Sequence, residues 1–189
     1  FMEYVPAVAV FAAIGFVGLV DLLRKKASRY RFAAAGTAII LVLANLVYCI
    51  GSTHPAEYIY YNALIGGIPG AREYFGTNEV TDYWANSYRA GMAWLNDSAS
   101  QDSILVTPVA GWLTDLTGPI WLRSDITVRN DLETVSQLRE LENPVYVMVL
   151  NRPGYYEDIA QYCVENCPLV YTQSMSGEAL LFIYRLDPG

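Results

Sequence analysis

"FAAAGTAIILVLANLVYCI", residues 32–50, decides how the rest of the chain is read. The run carries no charge and comes close to the ~20 residues that cross ~30 Å of hydrocarbon. A helix buried in a soluble core would keep a polar side, and this run keeps almost none. Asn45 is its one strongly polar residue, of a type that turns toward a neighbouring helix rather than toward lipid. Upstream, YVPAVAVFAAIGFVGLV (4–20) is equally free of charge. Both runs are therefore expected to be transmembrane helices. The first does not read as a signal peptide, because Glu3 precedes it, a basic leader is missing and no A-x-A site follows. The start at Phe1 suggests a piece of something longer.

Between the two runs lies DLLRKKASRYR (21–31), which holds Arg24, Lys25, Lys26, Arg29 and Arg31, five of the chain's 12 basic residues. Such a loop stays in the cytoplasm under the positive-inside rule. Both termini are then expected outside, in a multi-pass protein of the plasma (inner) membrane, with residues 52–189 extracytoplasmic. That large segment has 17 acids against seven basic residues, all arginine, for a net charge of −10. A charge of this sign excludes nucleic acid, whose phosphates require basic patches.

HPAEYIYYNALIGG (54–67) follows the second run directly. Pro55 marks the helix exit, since proline pushes its predecessor out of the helical region. Tyr58, Tyr60 and Tyr61, with His54, are expected at headgroup depth, where an apolar ring with a wet hydroxyl is favoured. A lone histidine without Cys, His or carboxylate at ligand spacing is not a metal site.

Beyond the hinge the pattern is that of an α/β domain. TDYWANSYRAGMAWLND (81–97) predicts an amphipathic helix with Thr81 as N-cap and one apolar stripe of Trp84, Tyr88, Met92 and Leu95. ILVTP (104–108) predicts a short buried strand. DLETVSQLRELE (131–142) predicts a second helix, and VYVMVLN (145–151), bounded by proline at both ends, the strongest strand. YYEDIAQYCVEN (155–166) predicts a third helix. LVYTQSM and ALLFIYRL predict a closing hairpin turned at Ser176 and Gly177. Strands alternating with helices imply a mainly parallel sheet. The expected fold is thus two transmembrane α-helices followed by an extracytoplasmic α/β domain with a mainly parallel sheet and a C-terminal hairpin. Its parts are a membrane anchor over 1–51 with the basic loop 21–31, an interfacial hinge over 52–77 and the α/β domain over 78–189.

The order HPAEYIYYNALIGG, DYWANSYRAGMAWLN (82–96), PVYVMVLNRPG (144–154) and PLVYTQSMSGEALLFIYRL (168–186), after an apolar helix, resembles the C-terminal portion of GT-C membrane glycosyltransferases of the dolichyl-phosphate-mannose-protein mannosyltransferase type, often called family 39. The resemblance covers residues from about 32 to 186. It implies an ancestry in sugar transfer from a polyprenyl-phosphate donor on the outer face. The catalytic acid of that family lies in a first extracytoplasmic loop that has no counterpart here, so no catalytic residue is carried over.

Independent chemistry finds little support in the residues. A Ser-His-Asp set would need His54, and no G-x-S-x-G elbow is present. A glycosidase needs two facing carboxylates, for which Asp82, Asp115, Glu157 and Asp158 are candidates by type; each also reads as a helix-start residue or a surface acid. IGGIPGA (65–71) lacks both the spacing and the preceding strand of a dinucleotide site and reads as a flexible turn. Neither a cofactor nor a metal is expected. Cys163 and Cys167, with Pro168 ending the helix between them, form a candidate disulfide. Cys49 reads as an inert packing residue. Asn96-Asp97-Ser98 is a candidate glycosylation site. Two functions follow as expectations: an extracytoplasmic domain of a glycosyltransferase, non-catalytic by itself, or a two-helix accessory subunit that stabilises a larger membrane complex. The bilayer, other membrane helices or subunits and a polyprenyl-phosphate lipid are the expected partners.

Overall fold

The computed structural model describes residues 5–26, 31–54, 57–61 and 63–187. Arg29 of the basic loop and Pro55 of the helix exit lie outside the described residues. The chain divides into two units, Phe1–His54 and Pro55–Gly189.

The first unit contains α1 (Val5–Lys26) and α2 (Arg31–Thr53). They pack against one another, and among the described residues Val20 and Ala35 are buried. Here the expectation of two membrane spans is corrected. Among the described residues one helix is long and apolar enough to cross a membrane, over Ala35–Thr53. The apolar part of α1, Ala9–Leu22, falls short. At ~1.5 Å per residue it covers ~21 Å of a ~30 Å hydrocarbon layer. Helix α1 carries Asp21 within that part and Lys25 and Lys26 after it, which leaves less uncharged length than α2 offers. In α2, Asn45 turns to its own helix and accepts the Cys49 thiol proton at 3.8 Å. The hydroxyls of Ser52 and Thr53 donate to the Cys49 carbonyl, closing polar groups at the helix end.

The second unit is built on strand β3 (Val145–Leu150), in which all six residues are buried. Its neighbours are β1 (Ile104–Val106), parallel on one side, and β5 (Glu178–Leu186), antiparallel on the other. Strand β2 (Thr127–Val128) extends the sheet beyond β1, and β4 (Leu169–Met175) extends it beyond β5, giving the order β2-β1-β3-β5-β4. The sheet is therefore mixed rather than mainly parallel. Half of its pairings are antiparallel, because a two-residue turn joins β4 to β5 and a turn of that length can make only antiparallel neighbours. Ser176 at φ 52° and Gly177 at φ 83° both adopt the left-handed conformation that such hairpin turns use.

Helices cover both faces. On one face Tyr146, Met148, Leu150, Leu181 and Ile183 meet α4 (Tyr88–Ser98). Gly91 makes this possible, since a Cβ there would lie 2.5 Å from Met148 Sδ and 2.8 Å from Leu181 Cδ2. Trp94 of α4 stacks on Tyr171 at 5.2 Å between centroids. Helix α5 (Trp112–Trp121) lies beside α4 and covers β2, with Gly118 against Val128. On the other face α7 (Asp158–Asn166) packs on β3 through Ile159, Ala160 and Cys163, next to the short α6 (Val135–Arg139). Thr134 and Gln137 form a capping box at the start of α6, which is shorter than the predicted 131–142 helix.

The predicted 81–97 helix is also corrected. It begins at Tyr88, with Thr81 to Ser87 in turns. Trp84 is 70% exposed, while Tyr88, Met92 and Leu95 are buried as one stripe. Asp82 explains the late start: its buried carboxylate accepts the Ser87 N–H at 2.5 Å and so holds the preceding loop across the helix entrance. The glycine-rich 65–71 stretch is no loose turn. Gly66 and Gly67, at φ 84° and 66°, start α3 (Gly67–Phe75), whose Ile68 and Ala71 join Ile59, Val80 and Leu180 in a second small core. Arg72 ties this helix down, donating to Glu178 at 2.5 Å and to the carbonyls of Val80 and Ala179.

Two outcomes follow for the full chain in detergent. Gly91→Ala should overpack the α4–sheet contact and cost about 1–3 kcal/mol, read as a lower denaturant midpoint. Arg123 reaches the carbonyls of Asn96, Ala99 and Ser100 at the end of α4 and grips Asp125 with two bonds, at 2.6 and 3.0 Å. The Arg123 guanidinium holds the Asp125 carboxyl below its ordinary value. Stability from this pair is present above the ordinary Asp value of about 3.9 and is lost as pH falls through the lowered one. Melting temperature should decline on acidification below about pH 4, and Asp125→Asn should flatten that decline.

Candidate functional site

The chain leaves β1 at Val106 and turns through Thr107–Pro108 into α5. Ala110 makes that turn at φ 54°, a left-handed conformation that costs a non-glycine residue roughly 1–2 kcal/mol. The chain leaves β2 at Val128 and reaches Asn130. Strand β1 therefore has a parallel neighbour on each side. The link from β1 to β2 runs through α5 on the α4 face, and the link from β2 to β3 through α6 on the α7 face. Where successive connections diverge to opposite faces, a crevice opens beyond the carboxyl ends of the strands. Such a crevice is present, with a volume of about 670 Å³, between the turn after β1, Asn130 and the start of α7.

Its floor is a closed hydrogen-bond network. Asn130 Oδ1 accepts from both the N–H and the hydroxyl of Thr107, at 2.8 and 2.7 Å. Asn130 Nδ2 donates to the Gly111 carbonyl, Thr114 Oγ1 and Asp115 Oδ1 at 2.8–2.9 Å. The hydroxyls of Thr107 and Thr114, both buried, bond to each other. Gly111 is held so close that a Cβ would sit 2.6 Å from the Thr107 carbonyl oxygen and 2.9 Å from Asn130 Cγ. Every polar group of the floor is thus occupied and fixed. The walls carry Asp115, Glu133, Glu157 and Asp158, and Trp112 stands exposed at the rim. None of the lining residues is Lys, Arg or His. Asp115 and Asp158 lie in the first turns of α5 and α7, where the helix dipoles favour a negative charge.

Of the carboxylates singled out by type, the fold brings Asp115, Glu157 and Asp158 onto one crevice and leaves Asp82 out of it. Asp82 is committed to the entrance of α4, beside Tyr88, whose hydroxyl donates to the Val109 carbonyl. Burial, with Asp82 nearby, pushes the Tyr88 hydroxyl well above its ordinary pKa. Thr107 and Asn130 could not be found by residue type, because only the adjacency of β1 and β2 unites them. Among the described residues no group of three or more His, Cys, Asp or Glu side chains could hold a metal.

The remaining sequence candidates fall elsewhere. His54 is exposed at the end of α2, its N–H bonded to the Ile50 carbonyl. Tyr58 and Tyr60 are exposed, whereas Tyr61 packs on the second core. The expected Cys163–Cys167 disulfide is not formed, and both thiols are free. Cys163 stays in α7 against the sheet while Cys167 leaves the helix in an extended conformation, bound back through its N–H to the Cys163 carbonyl. Burial and the Cys167 thiol raise the Cys163 pKa far above that of an ordinary thiol, which leaves Cys163 with little thiolate. Asn96 joins helix to loop: its Nδ2 donates to the Trp121 carbonyl at 2.7 Å and its Oδ1 accepts the Arg123 N–H at 2.7 Å. The nitrogen that a glycan would need is engaged in that bond.

Neither a family model, a curated protein nor a solved structure matches the chain. The crevice's chemistry must therefore be taken from its own residues. Asn130→Ala would strand the buried hydroxyls of Thr107 and Thr114 and should cost about 2–3 kcal/mol, measured by equilibrium unfolding.

Proposed function

We propose that the chain is the membrane-anchored, acceptor-holding portion of a glycosyltransferase that draws on a polyprenyl-phosphate sugar, and that it is not catalytic by itself. The observation that carries this reading is the crevice. Carboxylates and fixed hydroxyls line it, an exposed tryptophan stands at its mouth, and it contains no cation. Hydroxyl groups donate well to carboxylates, and sugar rings stack on indole through their apolar C–H faces. A phosphate, by contrast, would meet repulsion from four acids. The lining thus suits a neutral polyhydroxylated acceptor, while the anionic donor belongs to another part of the enzyme. The motif order that resembles the family 39 transferases supports the same reading. So does the position of the basic residues Arg24 to Arg31, just ahead of the apolar stretch of α2. The positive-inside rule favours them in the cytoplasm and residues 52–189 on the outer face.

A second reading, a non-catalytic subunit that stabilises a larger membrane assembly, is favoured by the outer side of α5. There Trp112, Leu116 and Ile120, at i, i+4 and i+8, are exposed together. The two readings separate on ligand and partner. Under the first, the purified chain should bind neutral oligosaccharides with a change in tryptophan emission that Trp112→Ala and Asp115→Asn both abolish. Inorganic pyrophosphate should give no such change. The chain should release no sugar from polyprenyl-phosphate donors. Sugar turnover by the isolated chain, or tighter binding of pyrophosphate than of oligosaccharide, would defeat the acceptor-holding reading.

A further inference from the structure

The same carboxyl edge of the sheet carries a second feature, away from the crevice. Strand β3 ends at Leu150, opposite Leu181, and Asn151 bonds through its N–H to Leu180 and through its side chain to Ala179. Helix α3 arrives at that edge, since Arg72 reaches Ala179 and Glu178. Asn78 joins it to the loop after β3 by accepting the Gly154 N–H at 2.8 Å. On this edge the side chains of Tyr74, Phe75, Tyr83, Trp84 and Tyr155 are all more than half exposed. Three of them form one surface. Trp84 meets Tyr83 edge-on at 5.3 Å, and the Arg152 guanidinium lies 4.9 Å from the Tyr83 ring and 4.0 Å from the Tyr155 ring. Arg152 itself is buried, and its Nε has no hydrogen-bond partner. Contiguous exposed aromatic surface of this kind marks a place of contact with protein or membrane.

We infer that this aromatic edge rests in the interfacial layer of the bilayer that holds α2. Composition is the first argument. Tyrosine and tryptophan are the residues favoured at headgroup depth, and the buried Arg152 guanidinium holds the Tyr83 and Tyr155 rings in place from behind. The tether is the second. Only residues 54–56 separate α2 from the first turn of the second unit, and an extended chain of that length spans no more than about 14 Å. The segment that follows packs against the edge in question, through Ile59, Ile68, Ala71 and Leu180. A surface linked so shortly to a membrane span meets lipid at a high effective concentration, so weak interfacial affinity suffices. The net negative charge of the unit makes this contact one with zwitterionic lipid, driven by the rings rather than by anionic headgroups. The inference does not rest on the transferase reading. It requires only that α2 lies in a bilayer.

The test uses the full chain reconstituted in phosphatidylcholine vesicles, with the emission of wild type compared against W84F. The difference between the two reports on Trp84. Lipids brominated on the acyl chain should quench that difference, and aqueous iodide should not. A second reporter, Y155W in the W84F background, should behave alike, which guards against a local effect of the first change. Quenching by iodide in place of bromolipid would place the rings in water and overturn the inference. Resistance to both quenchers would mean that protein, a second copy or another subunit, covers the edge, and would overturn it equally. Flotation of the vesicles separates this failure from that of the anchor. A chain that floats but leaves Trp84 open to iodide refutes the docking alone. A chain that does not float refutes the membrane anchor as well.

Discussion

Burial of β3 on both faces is the constraint from which the second unit follows. A strand of six apolar residues without a solvent side must have helices on each face and a hydrogen-bonded neighbour on each edge. The two edges are filled by different routes. Strand β1 arrives through helical crossovers and lies parallel, whereas β5 is inserted by a hairpin and lies antiparallel. On one face the helix comes so near that only glycine fits at position 91. On the other, α7 uses Ala160 and Cys163 for the same purpose. The position of the crevice is a consequence of this arrangement. Once β1 has parallel neighbours on both sides, the loops beyond its carboxyl end must part, and the residues at the parting are Thr107, Gly111 and Asn130.

Legibility in the sequence tracked how local the responsible physics is. VYVMVLN is readable because its prolines bound it and its residues are β-branched and apolar. The closing hairpin is readable because Ser-Gly suits two successive left-handed residues. Strand β2 was not readable, since two residues, Thr127 and Val128, show no pattern and become a strand only by lying beside β1. Helix α5 was hidden by Gly118 and Pro119, which local propensity disfavours inside a helix; glycine is needed at 118 because a Cβ there would lie 2.8 Å from Val128 Cγ2. The start of α4 was misplaced because Thr81 is a good capping type, while the group that acts at the entrance is Asp82, through a bond to Ser87 that no spacing rule describes. Among the site residues, the acids could be named by type. The threonine–asparagine floor that fixes them could not, because its members are 23 positions apart and meet only through the sheet.

The apolar spans teach the complementary lesson. Counting uncharged residues over 4–20 and 32–50 treats the two runs alike. The helices that contain them differ in how their ends are placed. Helix α2 finishes with Ser52 and Thr53 folding their hydroxyls onto the last turn, a polar end for an apolar rod. Helix α1 carries its own charges inside its last turns, so its apolar length is less than its helical length. Span length is therefore set by how much of a helix is apolar and not by how long the helix is.

Charge distribution then limits what the second unit can bind. It contains seven arginines and no lysine, and every arginine is engaged. Arg72, Arg123, Arg129 and Arg185 pair with carboxylates, at 2.5 to 2.7 Å. Arg139 donates to the Tyr162 hydroxyl and lies over its ring. Arg89 lies over Trp121, and Arg152 between Tyr83 and Tyr155. None lines the crevice, whose acids are left without a cationic neighbour among its walls. Releasing an arginine to bind phosphate there would break a helix cap, a strand anchor or an aromatic stack, each of which the fold uses. The crevice is consequently left to ligands that bring hydroxyls or positive charge of their own.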